Sequence, residues 1–370
     1  DVRTHTFTFN LPIDLSEGLH NLQVTAWDYA DNQTPPVSVP VPISDATAPH
    51  SLTVSLLDDP VTTGGTVRAR VSAADQQSGI DELRLVLSGA AGDQNPAAHP
   101  CGGSANCSHI FTLNVPESAP HGGVVTATAH ATDAATQTNL SGPATDTATV
   151  QDNDAPTGGF TNVGAVQVNT GSSVDLELTL TDVSSGLTRV EFSVPSNCGS
   201  VADHIFSPPL IGTTNPPLSI SWSVPADCRH VGAVEVTATV HDNSPNSGHL
   251  VDTQAVTIND TTPPSIEFRP TTPVTGSTGA DLTVSVRIRD RSSGAERVSL
   301  SVSPACASVS APTTETWNGR QTGWLNANFT ITGTEDCPPG DITVTLNGRD
   351  QAGNDATPIT HDITLSDTSG

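Results

Sequence analysis

Lysine is absent from the 370 residues: all 13 basic side chains are arginine, set against 39 acidic ones for a formal net charge of −26. No Lys-to-Asn isopeptide cross-link can therefore form. Without clustered basic residues, binding to nucleic acid or to anionic lipid is excluded as well. Aromatic residues are scarce at 4%, and no apolar run is long enough for a core or membrane helix, so no direct membrane insertion of this segment is expected. Catalytic signatures are missing too: there is no Gly-x-Ser-x-Gly elbow, phosphate-binding loop, metalloprotease helix or haem-attachment motif. The adjacent acids Asp58-Asp59 and Asp81-Glu82 point to opposite faces of a strand, so they do not form a glycosidase pair. A non-enzyme is expected.

What remains is rich in Thr, Val, Ser, Ala, Asp, Gly and Pro, the composition of many short strands separated by turns. The length suits about two to four domains.

Three features recur in the same order with a period of about 105 residues. First comes an acidic linker ending in proline: Asp45 before Ala48-Pro49, Asp152-Asn153-Asp154 before Ala155-Pro156, and Asp260 before Thr262-Pro263-Pro264, with Asp367 resembling a further start. Next comes an aspartate followed by Ser-Gly, in Asp75 with Ser78-Gly79, Asp182 with Ser185-Gly186, and Asp290 with Ser293-Gly294. Alternating apolar residues flank it, such as Val284, Val286, Ile288 before and Val298, Leu300, Val302 after, which predicts strand, tight connection, strand. Last comes a valine-threonine strand closed by an acidic turn, ending at Asp28, Asp133, Asp242 and Asp350. The spacing predicts an all-β fold, tandem immunoglobulin-like β-sandwich domains in an elongated array. The domains run over 46–154, 155–260 and 261–370, with 1–45 supplying the closing strands of a partial copy. The chain is thus expected to be a segment of a longer repetitive protein. A sandwich completed by a strand from a neighbouring subunit is the alternative.

Asp260-Thr-Thr-Pro-Pro264, Asp290-Arg-Ser-Ser-Gly294 and Asp350-Gln-Ala-Gly-Asn354 together resemble the bacterial immunoglobulin-like (Big-type) repeats of large surface adhesins and secreted multidomain proteins. The resemblance covers essentially the whole chain. It departs at Ala134-Ala135-Thr136 and Asn243-Ser244-Pro245, where the Ala-Gly-Asn turn is replaced.

In such a sandwich the three recurring acids return to one pole. The triads are Asp45, Asp75, Asp133; Asp154, Asp182, Asp242; and Asp260, Asp290, Asp350. Calcium at interdomain junctions is one reading, since it takes six to eight oxygen ligands. Asp152, Asp81, Asn153 and Asn243 are extra oxygen donors nearby. The other reading is that each aspartate serves its own turn by accepting backbone hydrogen bonds.

The six cysteines are an even set and predict disulfides in an oxidising compartment. Cys198 with Cys228 and Cys306 with Cys337 fall at the pole opposite the acids, and Cys101 with Cys107 bridges a glycine-rich loop. His99-Pro-Cys101 and Cys107-Ser-His109 also offer zinc ligand types, although their short symmetrical spacing is unlike zinc ribbons. Trp27 and Trp222 fall inside alternating strands and are expected in cores. Trp317 and Trp324 lie in an Asn, Gly and Thr-rich stretch as a carbohydrate or subunit contact, or as cover for a loop. Asn32, Asn106, Asn139, Asn259 and Asn328 begin glycosylation sequons.

The expected function is that of an extracellular structural or adhesive protein, secreted or at the cell surface. Its repeats would act as a rigid stalk or as the subunit of a filament or sheath. The expected partners are neighbouring copies of itself or a surface ligand. The alternative is the non-catalytic accessory region of a secreted hydrolase.

Overall fold

The computed structural model describes residues 3–12, 15–162, 164–229, 231–245, 248–270, 274–333 and 337–366; Asp367 lies outside them. Among these residues every regular element is a β-strand. The chain divides into two units: Asp1–Ala155 with Asp182–Gly186 and Asp242–Gly248, and Pro156–Thr181 with Leu187–His241 and His249–Gly370.

The first unit opens with an antiparallel hairpin, Gly18–Val24 against Val37–Ile43, which forms a sheet of its own. A two-stranded sheet offers no facing layer, so its apolar side chains stay in solvent. Trp27, expected in a core, is 62% exposed for this reason.

The remainder of this unit is a sandwich. One sheet orders His50–Leu56, Thr66–Ala74 and Asn106–Asn114; the other orders Val61–Thr62, Ala144–Gln151, Val124–Asp133, Ile80–Gly89 and His99–Ser104. Residues two apart point to the same face of a strand. Val67, Ala69 and Val71 from the first sheet therefore enter one core with Leu83, Leu85, Leu87, Val125, Ala127 and Ala129 from the second. Each fully buried Leu or Val contributes about 1.5–3 kcal/mol against leaving it in water. The short strand Val61–Thr62 pairs in parallel with Val150 and Gln151, so the outermost strand of this sheet comes from the start of the domain.

The second unit holds two further cores. In the first of them, Ser173–Ser193 is one continuous strand through the segment where the spacing predicted strand, turn, strand. Leu176, Leu178, Leu180, Leu187 and Val190 on this strand are all buried. They meet Trp222, Val236, Ala238, Val240, Val256 and Ile258. The sheet orders Thr157–Phe160, Ser173–Ser193, Gly232–Asp242, Leu250–Asn259 and Val166–Asn169, with His204–Thr213 and Leu218–Ser223 also pairing with the long strand.

The last sandwich repeats the plan of the first. Ser265–Arg269, Asp281–Arg289, Leu325–Gly333 and Ala307–Val309 form one sheet. Val274–Ser277, Ile359–Ser366, Gly340–Asp350, Ala295–Ser303 and Thr314–Thr316 form the other. Val284, Val286 and Ile288 face Val298, Leu300, Val344 and Leu346 across the core.

Candidate metal centres

The aspartates sit where strands end. Asp152 and Asp260 directly follow strands ending at Gln151 and Asn259, and Asp45 follows one ending at Ile43. Each then turns the chain by accepting the backbone N–H two residues on: Thr47 on Asp45 at 2.8 Å, Asp154 on Asp152 at 3.0 Å, and Thr262 on Asp260 at 2.9 Å.

The second acid of each set folds its own Ser-Gly turn around one carboxylate oxygen. Asp75 Oδ1 accepts from the backbone N–H groups of Gln77, Ser78 and Gly79. Asp182 Oδ1 accepts from Ser184 and Gly186, and Asp290 Oδ1 from Ser292 and Gly294. In the middle set this turn persists inside the continuous strand, which is why Asp182 keeps its place there.

The third acid closes its own turn. Asp133 Oδ1 accepts from Asn139 N at 2.8 Å and its Oδ2 from Asn139 Nδ2 at 2.6 Å. Asp350 is held the same way by Asn354, at 2.7 and 2.8 Å.

These turns bring the acids together. Asp45, Asp75 and Asp133 each place a carboxylate oxygen within 4.8 Å of the other two, as do Asp152, Asp182, Asp242 and Asp260, Asp290, Asp350 within their sets. All nine are buried except Asp242, which is half-buried. The first two sets lie in the first unit and the third in the second.

One predicted member is replaced. Asp152 occupies the place assigned to Asp154, which is exposed and hydrogen-bonds Thr63 Oγ1 at 3.3 Å. The alternation that buries Ala148 and Val150 carries on to Asp152, and the turn there swings Asp154 outward. A signal was present in the sequence: Asp152 stands four residues before Pro156, the spacing of Asp45 before Pro49.

The electrostatics differ between sets. Burial works against the charge of Asp45, but hydrogen bonds from Thr47 and Ser78 outweigh it and hold the carboxyl below its usual range. Burial pushes Asp290 up, with Asp260 and Asp350 adding like-charge repulsion, and burial together with Asp260 pushes Asp350 up. Arg320 lies near this third set, within the field of Asp260 and Asp290, with its Nε donating to Ser292 O at 2.8 Å. Among the described residues Asp45, Asp75, Asp133, Asp152, Asp182, Asp260, Asp290 and Asp350 form no ion pair with a basic side chain. A compact set of largely buried carboxylates offers the oxygen donors that a hard divalent cation takes. The same groups also accept the hydrogen bonds of their own turns.

Cys101–Cys107, Cys198–Cys228 and Cys306–Cys337 are disulfides, and no cysteine is free. The zinc alternative is thereby overturned, because its thiolates are consumed; His99 and His109 stack on each other at 3.8 Å instead. Three disulfides are the mark of a secreted or cell-surface protein in an oxidising compartment. No helix among the described residues is long and apolar enough to cross a membrane.

Trp222 is fully buried and donates Nε1–H to Cys198 O at 2.8 Å. Trp317 is half-buried and packs against the last core. Trp324 carries the guanidinium groups of Arg287 and Arg289 at 4.1 and 4.5 Å from its ring centre.

No protein-family model matches the chain, and no curated protein matches it. Among solved structures it is similar to the SrpA adhesin from Streptococcus sanguinis, with 21% identity over 30% of this chain and 60% of that one, TM-score 0.25. It is also similar to the fibronectin(III)-like modules of Clostridium thermocellum CbhA, with 13% identity over 57% and 94%, TM-score 0.22. Protocadherin gamma B7 extracellular cadherin domains 1–4 align at 14% identity over 93% and 83%, TM-score 0.39. The adhesin alignment spans less than two thirds of that chain.

Proposed function

We propose that the chain is a non-catalytic extracellular protein of structural or adhesive type, built from Big-type repeats, in which each aspartate triad holds one calcium ion. Asp45, Asp75 and Asp133 would hold the first ion, Asp152, Asp182 and Asp242 the second, and Asp260, Asp290 and Asp350 the third. Bound calcium supplies positive charge to carboxylates that otherwise repel one another. The residues do the mechanical part: each triad ties a linker to two turns, so neutralising it stiffens the place where bending would be easiest. Repeats stiffened in this way extend reach as a stalk or as a filament subunit, with copies of the chain or a surface ligand as partner.

The observation that carries this reading is the threefold recurrence of an acid triad whose carboxylate oxygens lie within 4.8 Å of one another, eight of the nine acids being buried. Thermal unfolding with added calcium, magnesium or chelator tests it. A ligand of the folded state at about 100 times its dissociation constant adds about 2.7 kcal/mol. For a domain of this size the midpoint rises about 4–8 °C per kcal/mol. Unchanged midpoints at millimolar calcium overturn the metal assignment.

A further inference from the structure

The outer face of the first two sandwiches carries an internally neutralised arginine at one recurring place. Counting from the glycine of the Ser-Gly turn, the third and fifth residues are Glu82 and Arg84 after Gly79, and Arg189 and Glu191 after Gly186. Both couples are ion pairs within one strand, the second at 2.7 Å. After Gly294 the same places hold Arg297 and Ser299. The acid is gone and the arginine remains.

The consequence is visible on the last sandwich. The Arg297 guanidinium makes no hydrogen bond or ion pair with any described residue. It lies directly across the antiparallel ladder from Arg349, and like charges so placed repel unless something negative comes between them. Arg349 is already engaged, with Nε 3.2 Å from Gly353 O, 3.6 Å from Asp355 Oδ1 and 3.8 Å from Glu296 Oε2. The uncompensated charge is therefore that of Arg297. It borders a cavity of about 230 Å³ whose wall also includes Ser299, Thr314, Asn347, Arg349 and Asp355. The side chains of Ser299, Thr314 and Asn347 likewise have no hydrogen-bond partner among the described residues.

From this we infer that the cavity is a binding site for an oxyanion-bearing sugar residue. The carboxylate or sulfate group sits on the Arg297 guanidinium, and the ring hydroxyls are shared among Ser299, Thr314, Asn347 and Asp355. A guanidinium presents paired N–H donors that match either anion. The hydroxyl and amide groups suit a hydroxyl-rich ligand rather than an apolar one. The volume lies below the range of about 300–1,000 Å³ typical of drug-sized ligands, and a single sugar ring is the matching size. The site is independent of the calcium reading, so the assay is run in chelator.

The full chain is immobilised and exposed to three oligosaccharide probes: one ending in glucuronate, one carrying a sulfate ester and one neutral. Binding of an acidic probe with a dissociation constant of the order of 1 mM or tighter is expected, and none of the neutral one. Whichever acidic probe binds identifies the source of the anion. Ser299→Glu, which rebuilds the arrangement of Arg189 and Glu191, should abolish that binding while leaving the melting temperature unchanged. Arg297→Gln should weaken it at least about tenfold, whereas Arg189→Gln should not alter it. Absence of binding by both acidic probes overturns the proposal. So does equal binding of the neutral probe, or acidic binding that survives Ser299→Glu.

Discussion

Asp45 and Asp75, 30 residues apart, hold the same backbone group: Ser78 N lies 3.2 Å from Asp45 Oδ2 and 3.1 Å from Asp75 Oδ1. The Ser78 hydroxyl adds a 2.8 Å bond to Asp45 Oδ2. One serine thus fastens the linker to the turn without help from an ion. Hydrogen bonds to charged groups contribute about 1.5–3 kcal/mol, so Ser78→Ala should destabilise the first sandwich by that amount in chelator, as read from urea unfolding. Gly79→Ala should cost more. Its φ is +81°, and an added Cβ would collide with the carbonyl group of Gly103.

Acidity should act on the triads in opposite senses. Asp290 and Asp350 have folded pKa values raised by burial, so the folded state binds their protons more tightly than the unfolded chain does. Their contribution is greatest below the unfolded pKa of 3.8 and is lost as pH rises through the folded value. Asp45 is depressed, so its contribution is present above 3.8 and disappears as pH falls through its folded value. In chelator, acidifying from neutral pH toward the ordinary carboxylate value of 3.8 should therefore raise the contribution of Asp290 and Asp350 to the stability of the last sandwich, and Asp290→Asn should reduce that gain. Calorimetry of both proteins measures it, and an identical pH response in the two would contradict the assignment.

Much of the strand pattern was legible because alternation is a local property. Val298, Leu300 and Val302 follow Gly294 with period two, and Val298 and Leu300 are buried while Val302 is partly so. Burial of a whole element was less legible. Trp27 lies in a segment with the valine-threonine signature of Trp222's companions, yet only Trp222 enters a packed core. The spacing around Asp182 predicts strand, turn, strand; its carboxylate accepts the turn hydrogen bonds, yet a single strand continues through it. Nothing local distinguishes a reversal from a bend within one strand. Trp324 is expected as a carbohydrate or subunit contact or as cover for a loop, and the structure adds Arg287 and Arg289, more than thirty residues upstream, over its ring. The Arg297 cavity was not anticipated, because it depends on an acid missing from a position defined only by comparison between repeats.

Trp222 tests how the middle core is tied together. Its indole N–H reaches the carbonyl of Cys198, whose sulfur is bonded to Cys228, and all three residues are fully buried. Trp222→Phe leaves that carbonyl without its buried donor and removes volume, for an expected loss of about 1–3 kcal/mol from the unmet bond alone. Replacing both Cys198 and Cys228 by Ala releases a loop of sequence separation 30, which should destabilise by about 2–4 kcal/mol. Because the two changes share a carbonyl group, the triple variant should lose less than the sum, and urea unfolding of the full set gives the coupling.

The exchange of Asp154 for Asp152 gives a direct test of the second triad. Asp152 is buried, with Oδ2 accepting from Ser185 N at 3.2 Å and Oδ1 accepting from Asp154 N and Thr63 Oγ1. Asparagine in its place keeps the shape and an acceptor oxygen but removes one of the three charges that a cation would require. Asp154 is exposed, so Asp154→Asn changes charge by the same amount outside the cluster. If the triad binds calcium, Asp152→Asn should weaken calcium affinity at least about tenfold at this site, while Asp154→Asn should stay close to the parent. Titration calorimetry of the two variants separates a bound ion from a general response to net charge, because a screening effect would move both affinities equally.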